Sequence, residues 1–316
     1  MPKILELEPR YGLVAIVDAL GTRRIWSRRN SAETIRKRVE LRDYIEKVFV
    51  SFQAATRTSR GKSSKPVPKV RVEQRAQFVS DSIVITIIPE PGVDAVVLFS
   101  AVSDLLTALI LQGIRDGVLL RGALACGMIY AGRSFVLGPV VDEAAEWSTL
   151  GDWAGIFLTP SAEEQFNRTV GECGGVPPFG YVRWPVPLRE GSGSAHSLGE
   201  LWAIGWPWYA YSLRSTVDLL FLEAPTSLAV ERKRRHTMEF FDYLWSGKVS
   251  VQHPFLAKGT HPNFLSTSPE LQKLFDETHK LRGAPAPEKR PGSNGSESRP
   301  HPGRTAREPR NRSPNR

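Results

Sequence analysis

Two aspartates stand where apolar runs stop. Residues 12–17 (GLVAIV) end at Asp18, and residues 76–79 (AQFV) and 83–88 (IVITII) flank a polar tip of Ser80, Asp81 and Ser82. Taken alone, an Asp at a strand exit is a turn former or a helix N-cap, satisfied by nearby N–H groups. A second carboxylate at a hairpin tip changes that reading. If the two strands lie side by side in one sheet, both acids project from the same edge, and carboxylates that converge there repel each other unless a cation sits between them. Beyond Asp18 come Ala19, Leu20, Gly21 and Thr22, a small Gly-bearing turn whose backbone N–H groups could face an anion, with Arg23 and Arg24 close behind. The chemistry implied is a metal-binding acid beside a phosphate-sized turn.

Those residues need elements to position them. Residues 12–17 read as a buried strand, and residues 31–56 as an amphipathic helix with Ser31 at its N-cap. A polar, basic loop comes next, carrying Gly61, Pro66 and Pro68. Then come the Asp81 hairpin, an apolar helix over 93–117 and a buried strand over 118–130. The order strand, helix, hairpin, helix, strand predicts an α+β fold of the ferredoxin-like βαββαβ plan, its sheet covered on one face by helices. Farther on, a glycine-started helix opens at Gly138, and a strand leads to a helix starting at Pro160 or Ser161. Two strand-like runs, YVRWPVPL and ELWAIGWPWY, hold Trp184, Trp202, Trp206 and Trp208. Such a cluster suits a core or a dimer interface better than a ligand cage. Residues 227–245 predict another helix and residues 268–281 a short one. The expected organisation is a catalytic domain over 1–215 (core 11–162, insertion loop 55–75), a C-terminal helical extension over 216–281, and a disordered basic tail over 282–316.

Composition narrows the class. With 41% hydrophobic residues, the 316-residue chain has enough apolar material for a sizeable core. Its most apolar stretch, residues 93–114, is broken by Asp94, Ser100, Ser103, Asp104 and Thr107, which favours a core helix over a membrane insertion. The first residues, MPKILELEPR, have no secretory pattern, so a cytoplasmic location is expected. Cys126 and Cys173 are too few for a disulfide framework, and Cys126 reads as a small buried hydrophobe. The net charge of +9 is concentrated in residues 55–75 and 281–316, which together carry +12 and leave the rest at −3. Neither segment interleaves aromatics with its cations, so no nucleic-acid partner is expected.

The set VAIVDALGT, FVSDSIVI, LLRGALACGMIYAG, FVLGPVVDEAAEW and GIFLTPSA, in that order over residues 13–162, resembles the class III nucleotidyl cyclase catalytic domain. More narrowly, the RWPVPL and LWAIGWPW strands and the long basic insertion resemble the pyrimidine cyclases of the Pycsar antiphage systems, which make cyclic UMP or cyclic CMP as an alarm signal. The resemblance implies that Asp18 and Asp81 are the catalytic metal-binding aspartates, and that Ala19 lends a backbone carbonyl. It implies two divalent metal ions, Mn2+ or Mg2+, with no protein general base required. Leu20, Gly21 and Thr22 fall where that family turns its backbone toward the triphosphate. Asp142 replaces a ribose-orienting asparagine and Glu146 a transition-state arginine, while Gln77 and Phe135 stand at the base-selecting positions without a purine-type pair. Candidates for the missing positive charge are Arg23, Arg24, Arg121, Arg189 and the loop lysines.

The resemblance also implies a homodimer with sites between head-to-tail subunits, a nucleoside triphosphate substrate (UTP before CTP), and a product read by a separate cyclic-nucleotide-binding effector. Trp or Phe side chains from the second sheet edge are expected at the dimer interface. A purine cyclase and a catalytically silent cyclase-like binding module are the rival readings. The GGDEF branch is disfavoured because the hairpin tip lacks paired glycines.

Overall fold

The computed structural model describes residues 8–20, 72–79, 82–132, 135–178, 180–189, 199–209, 211–224 and 227–246, with positions 32, 36, 39, 40, 43 and 44. Asp81, Gly21, Thr22, the helix expected over 268–281 and the tail lie outside the described residues, as do Arg23, Arg24 and most of the insertion.

The first strand, β1 (Arg10–Ala19), has a solid buried run from Leu13 to Val17 and is flanked on both sides by antiparallel partners. β2 (Val72–Val79) and β3 (Ser82–Pro89) form the expected hairpin. The six described positions between β1 and β2 are helical. Helix α1 (Ala95–Arg115) comes next, then β4 (Leu120–Ala131) and a short β5 (Val136–Leu137) paired back onto it. Helix α2 (Pro139–Ser148), β6 (Ile156–Leu158) and helix α3 (Pro160–Glu172) succeed them. Then β7 (Tyr181–Trp184) and β8 (Leu201–Ile204) lead through two 3₁₀ turns to helices α4 (Arg214–Leu222) and α5 (Leu228–Trp245).

The sheet order is β2-β3-β1-β4-β6-β8-β7, whose first four strands are the ferredoxin-like arrangement that the element order predicts. One correction concerns the insertion loop expected over 55–75. Residues 72–75 belong to β2, an edge strand that tolerates polar side chains because only one of its sides is paired. There Glu73 forms ion pairs with Arg10 and Arg75.

Alternation along the central strands divides the core in two. Leu13, Ala15 and Val17, with Ile83, Ile85 and Ile87, face the cluster that holds α1. Val14 and Ile16, with Val84 and Ile88, face Val140 and Ala144 of α2. Of the described helices, only α1 is long and apolar enough to cross a membrane. Instead it is buried on nearly all sides against protein, capped by Asp94, whose carboxylate accepts N–H bonds from Val96 (2.8 Å) and Val97 (3.2 Å). Two glycines permit close approach. A Cβ at Gly122 would stand 2.4 Å from the Ile16 carbonyl oxygen on β1. Gly138 starts α2 at φ 137°, in the region that L side chains rarely adopt.

The aromatic cluster is core. Trp153, fully buried, meets Phe240 of α5 edge-on at 4.4 Å between centroids, and Trp184 lies 5.0 Å from the same ring. Trp206 meets Phe241 at 5.0 Å. Helices α4 and α5 therefore share one hydrophobic core with the sheet, through Val217, Phe221, Phe240, Phe241 and Leu244. Trp184, Trp206 and Trp208 are buried inside the subunit, the core alternative of the two expected for this cluster; Trp202 is only half-buried, under the Arg183 guanidinium at 4.7 Å.

Candidate functional site

Asp18 is the last residue but one of β1 and has a partner on each side, Ser82 of β3 and Arg121 of β4. Directly opposed residues in antiparallel strands project from the same face. Ser82 is also the residue after Asp81 in sequence. The register therefore sets Asp18 opposite the chain position next to the second carboxylate; Asp81 itself lies outside the described residues.

The Arg121 guanidinium is buried, its side chain 8% exposed, and Nη2 donates to Asp18 Oδ2 at 3.0 Å. Its Nη1 donates to two backbone carbonyls, Thr149 O and Gly151 O, each at 3.1 Å. Three hydrogen bonds to fixed acceptors hold the planar fork in one orientation, and with it the carboxylate. Asp18 keeps 16% of its side chain exposed, so it stands at the rim of the sheet rather than sealed within it.

The carbonyls that hold Arg121 belong to the turn after α2, and this turn is gripped from behind by α5. Asp152, with 1% of its side chain exposed, pairs with Arg232 and with Lys233 Nζ at 3.3 Å. His236 Nδ1 is 3.7 Å from the same carboxylate and 3.0 Å from the Asp152 backbone oxygen. Since a carbonyl can only accept, Nδ1 carries the hydrogen. Thr237 Oγ1 accepts from the Ala154 N–H at 2.9 Å. Burial holds the Lys233 ammonium below its ordinary pKa; the pull of Asp152 raises it, and the nearby Arg189 and Arg121 push it down further. A cationic group of Arg121, Arg189, Arg232 and Lys233 thus lies behind the strand exit.

The remaining site residues separate into two groups. Gln77 of β2 pairs with Val84, which pairs with Ile16, so Gln77 shares the Asp18 face two strands away. Leu20 does not offer its amide to an anion, because its N–H donates to Leu119 O at 2.7 Å and extends the β1–β4 ladder by one residue. That corrects the reading of Leu20 as part of the anion-facing turn. Phe135 stands at the other end of β4 from Asp18, and Asp142 on the helix α2 that runs back toward Asp18. Arg121, the second residue of β4, stands beside Asp18, whereas Gly132, past the strand's end, donates its N–H to Phe135 O at 3.0 Å. At about 3.3 Å per residue, the intervening strand spans roughly 30 Å. Asp142 is exposed in the first turn of α2, whose cap Gly138 lies against Met128 near that same distant end.

Sequence reasoning included Arg121 and Arg189 among several candidate cations but missed Lys233, Arg232, His236 and the turn they hold. No local signal marks them, because their roles come from strand register and helix docking. Asp18 and the Ala19 carbonyl are hard oxygen donors at a strand exit, which suits Mg2+ or Mn2+. Among the described residues no group of three or more His, Cys, Asp or Glu could hold a metal ion.

No family model matches the chain, and no curated protein matches it. Among solved structures it is similar to the catalytic core of a rhodopsin-guanylyl cyclase with converted specificity in complex with ATPalphaS. The identity is 15% and the TM-score 0.38, over 63% of this chain and 98% of that chain. A likeness of this size assigns no role to any residue here.

Proposed function

We propose that this chain is a nucleotidyl cyclase that converts a pyrimidine nucleoside triphosphate, UTP before CTP, to its 3′,5′-cyclic monophosphate and pyrophosphate. The observation that carries the reading is the register at the exit of β1, with Asp18 between Ser82 and Arg121 in a β2-β3-β1-β4 sheet. The sequence resemblance supports the same chemistry. In the reaction the ribose 3′-oxygen attacks the α-phosphorus in line. The new O–P bond forms as the bond to the β-phosphate oxygen breaks, pyrophosphate leaves, and the hydroxyl proton passes to solvent.

Asp18, the Ala19 carbonyl and Asp81 are the groups that would hold two divalent ions. When bound, such ions acidify the attacking hydroxyl and offset the triphosphate charge. Arg121 orients the Asp18 carboxylate, and the sequence resemblance gives Gly21 and Thr22 the role of phosphate contacts. Gln77, on the Asp18 face, and Phe135, at the far end, read the base. Because Phe135 stands so far from Asp18 in one subunit, a second copy packed head to tail supplies it, together with Asp142 as the sequence resemblance implies, which makes the working unit a homodimer. The cellular role is second-messenger synthesis in antiphage defence, with the product read by a separate effector.

The test is direct. Purified protein is incubated with each of the four NTPs and Mn2+, and products are identified by mass. Cyclic UMP or cyclic CMP is the expected product. Cyclic AMP or cyclic GMP would overturn the pyrimidine assignment, and no product from any NTP would favour a silent nucleotide-binding module.

A further inference from the structure

We propose that Arg121 is the positioning residue for the Asp18 carboxylate, and that α5 holds Arg121 in place through Asp152 and the turn at 149–152. The inference rests on the cyclase reading for its functional consequence, but its geometry stands apart from it. Arg121 bridges the exit of β1 and the turn after α2. Through Nη2 it holds Asp18 at the strand exit, and through Nη1 it is held by the Thr149 and Gly151 carbonyls. The next residue, Asp152, is the most enclosed carboxylate of the region and is gripped by Arg232 and Lys233 of α5, with His236 on its backbone oxygen.

The geometry favours a fixed partner over a displaceable counter-ion. Arg121 Nε has no hydrogen-bond partner among the described residues, so swinging the guanidinium away from Asp18 would strand a buried charge that is already under-satisfied. A cation arriving at Asp18 therefore meets a carboxylate whose Oδ2 stays engaged and whose plane is already set. Partners of this kind, one step removed from a metal, typically change affinity by about 10- to 100-fold when lost. Lysine cannot substitute fully, since one ammonium does not reproduce the fork that reaches a carboxylate and two carbonyls together.

The experiment uses the full chain and four proteins: wild type, Arg121→Gln, Arg121→Lys and Asp152→Asn. Two readouts are taken: the Mn2+ concentration that gives half of the thermal shift in the absence of nucleotide, and kcat and KM for the preferred NTP. Arg121→Gln should raise the Mn2+ half-point about tenfold and lower kcat about a hundredfold, with the nucleotide KM within about threefold. Arg121→Lys should fall between it and wild type. Asp152→Asn, measured well below its own melting temperature, should move the Mn2+ half-point the same way by about threefold.

A folded Arg121→Gln whose Mn2+ half-point stays within twofold of wild type, or falls below it, overturns the proposal; a fall would identify Arg121 as a mere counter-ion. If Arg121→Gln does not fold, Arg121→Lys and Asp152→Asn decide on the same criterion. Wild type that shifts with Mn2+ but makes no cyclic product sinks the enzymatic reading alone. Wild type with no Mn2+ shift overturns the positioning role as well.

Discussion

Two regions of this molecule each place an aspartate against an arginine, and they differ in how far the pair is closed. At the exit of β1, Asp18 holds one buried guanidinium and keeps 16% of its side chain in solvent. Behind it, Asp152 is 1% exposed and enclosed by two cations and a histidine from α5. The closed pair is shut in among the cations of α5 and holds structure. The open pair stands at the rim of the sheet, where the proposed function needs its carboxylate. The contrast shows why charge type alone does not distinguish a site from an anchor: both are Asp–Arg pairs, and exposure separates them.

The largest expected effect breaks the open side. Asp18→Ala and Asp81→Ala should each reduce cyclic nucleotide formation by about a thousandfold or more. Circular dichroism should stay that of wild type for both, because the acids lie beyond the apolar runs that build the core, while Asp18→Ala should also melt lower, because it leaves the buried Arg121 guanidinium without its carboxylate. Either variant turning over at wild-type rate would remove the two-acid assignment.

On the closed side the loss should appear in stability first. Asp152→Asn leaves Arg232 and Lys233 largely buried without a compensating charge, and breaking one partner of such a pair costs about 3–5 kcal/mol when it is fully enclosed. Since Arg232 keeps 26% of its side chain exposed and Lys233 16%, the expected loss is nearer ~2–3 kcal/mol by urea unfolding. A variant as stable as wild type would show that α5 is held by its aromatic face alone. Phe240 and Phe241 are the residues to test next in that case.

Much of the fold was legible in the sequence. Six apolar residues ending at Asp18, β-branched runs around a polar tip, and a broken apolar helix each reflect a local period, and β1, the β2–β3 hairpin and α1 are its products. The ferredoxin-like order could be read because it is an order of elements. Register could not. That Arg121 stands opposite Asp18 depends on which residue of β4 meets which residue of β1, and a shift of one would send it to the other face.

Asp152 escaped notice for a related reason. In LGDWAG it looks like a turn former, and the basic run Arg232, Lys233, Arg234 and Arg235 looks like a solvated helix face; only docking brings the two together. The polar residues 72–75 read as loop because an edge strand with exposed charge has no apolar alternation to reveal it. Residue roles inferred from resemblance carried no position, so only the structure shows Phe135 at the opposite end of β4 from Asp18.

A third aspartate sharpens the comparison by lacking a cation. Asp104 lies within α1, fully buried, and burial alone lifts its carboxyl to a pKa of about 8. The unfolded chain gives up this proton near pH 4, whereas the fold keeps it until about pH 8. Between those values the unfolded state binds fewer protons than the native state, so stability from this group is full below about pH 4 and falls as pH rises. The slope is at most about 1.4 kcal/mol per pH unit. Asp104→Asn mimics the protonated form and removes the slope. The variant and wild type should melt together below about pH 4, and the variant should melt progressively higher from there to pH 8. Parallel melting profiles across that range would mean that the carboxyl finds a compensating group in the fold, and that Asp104 belongs with Asp152 rather than apart from it.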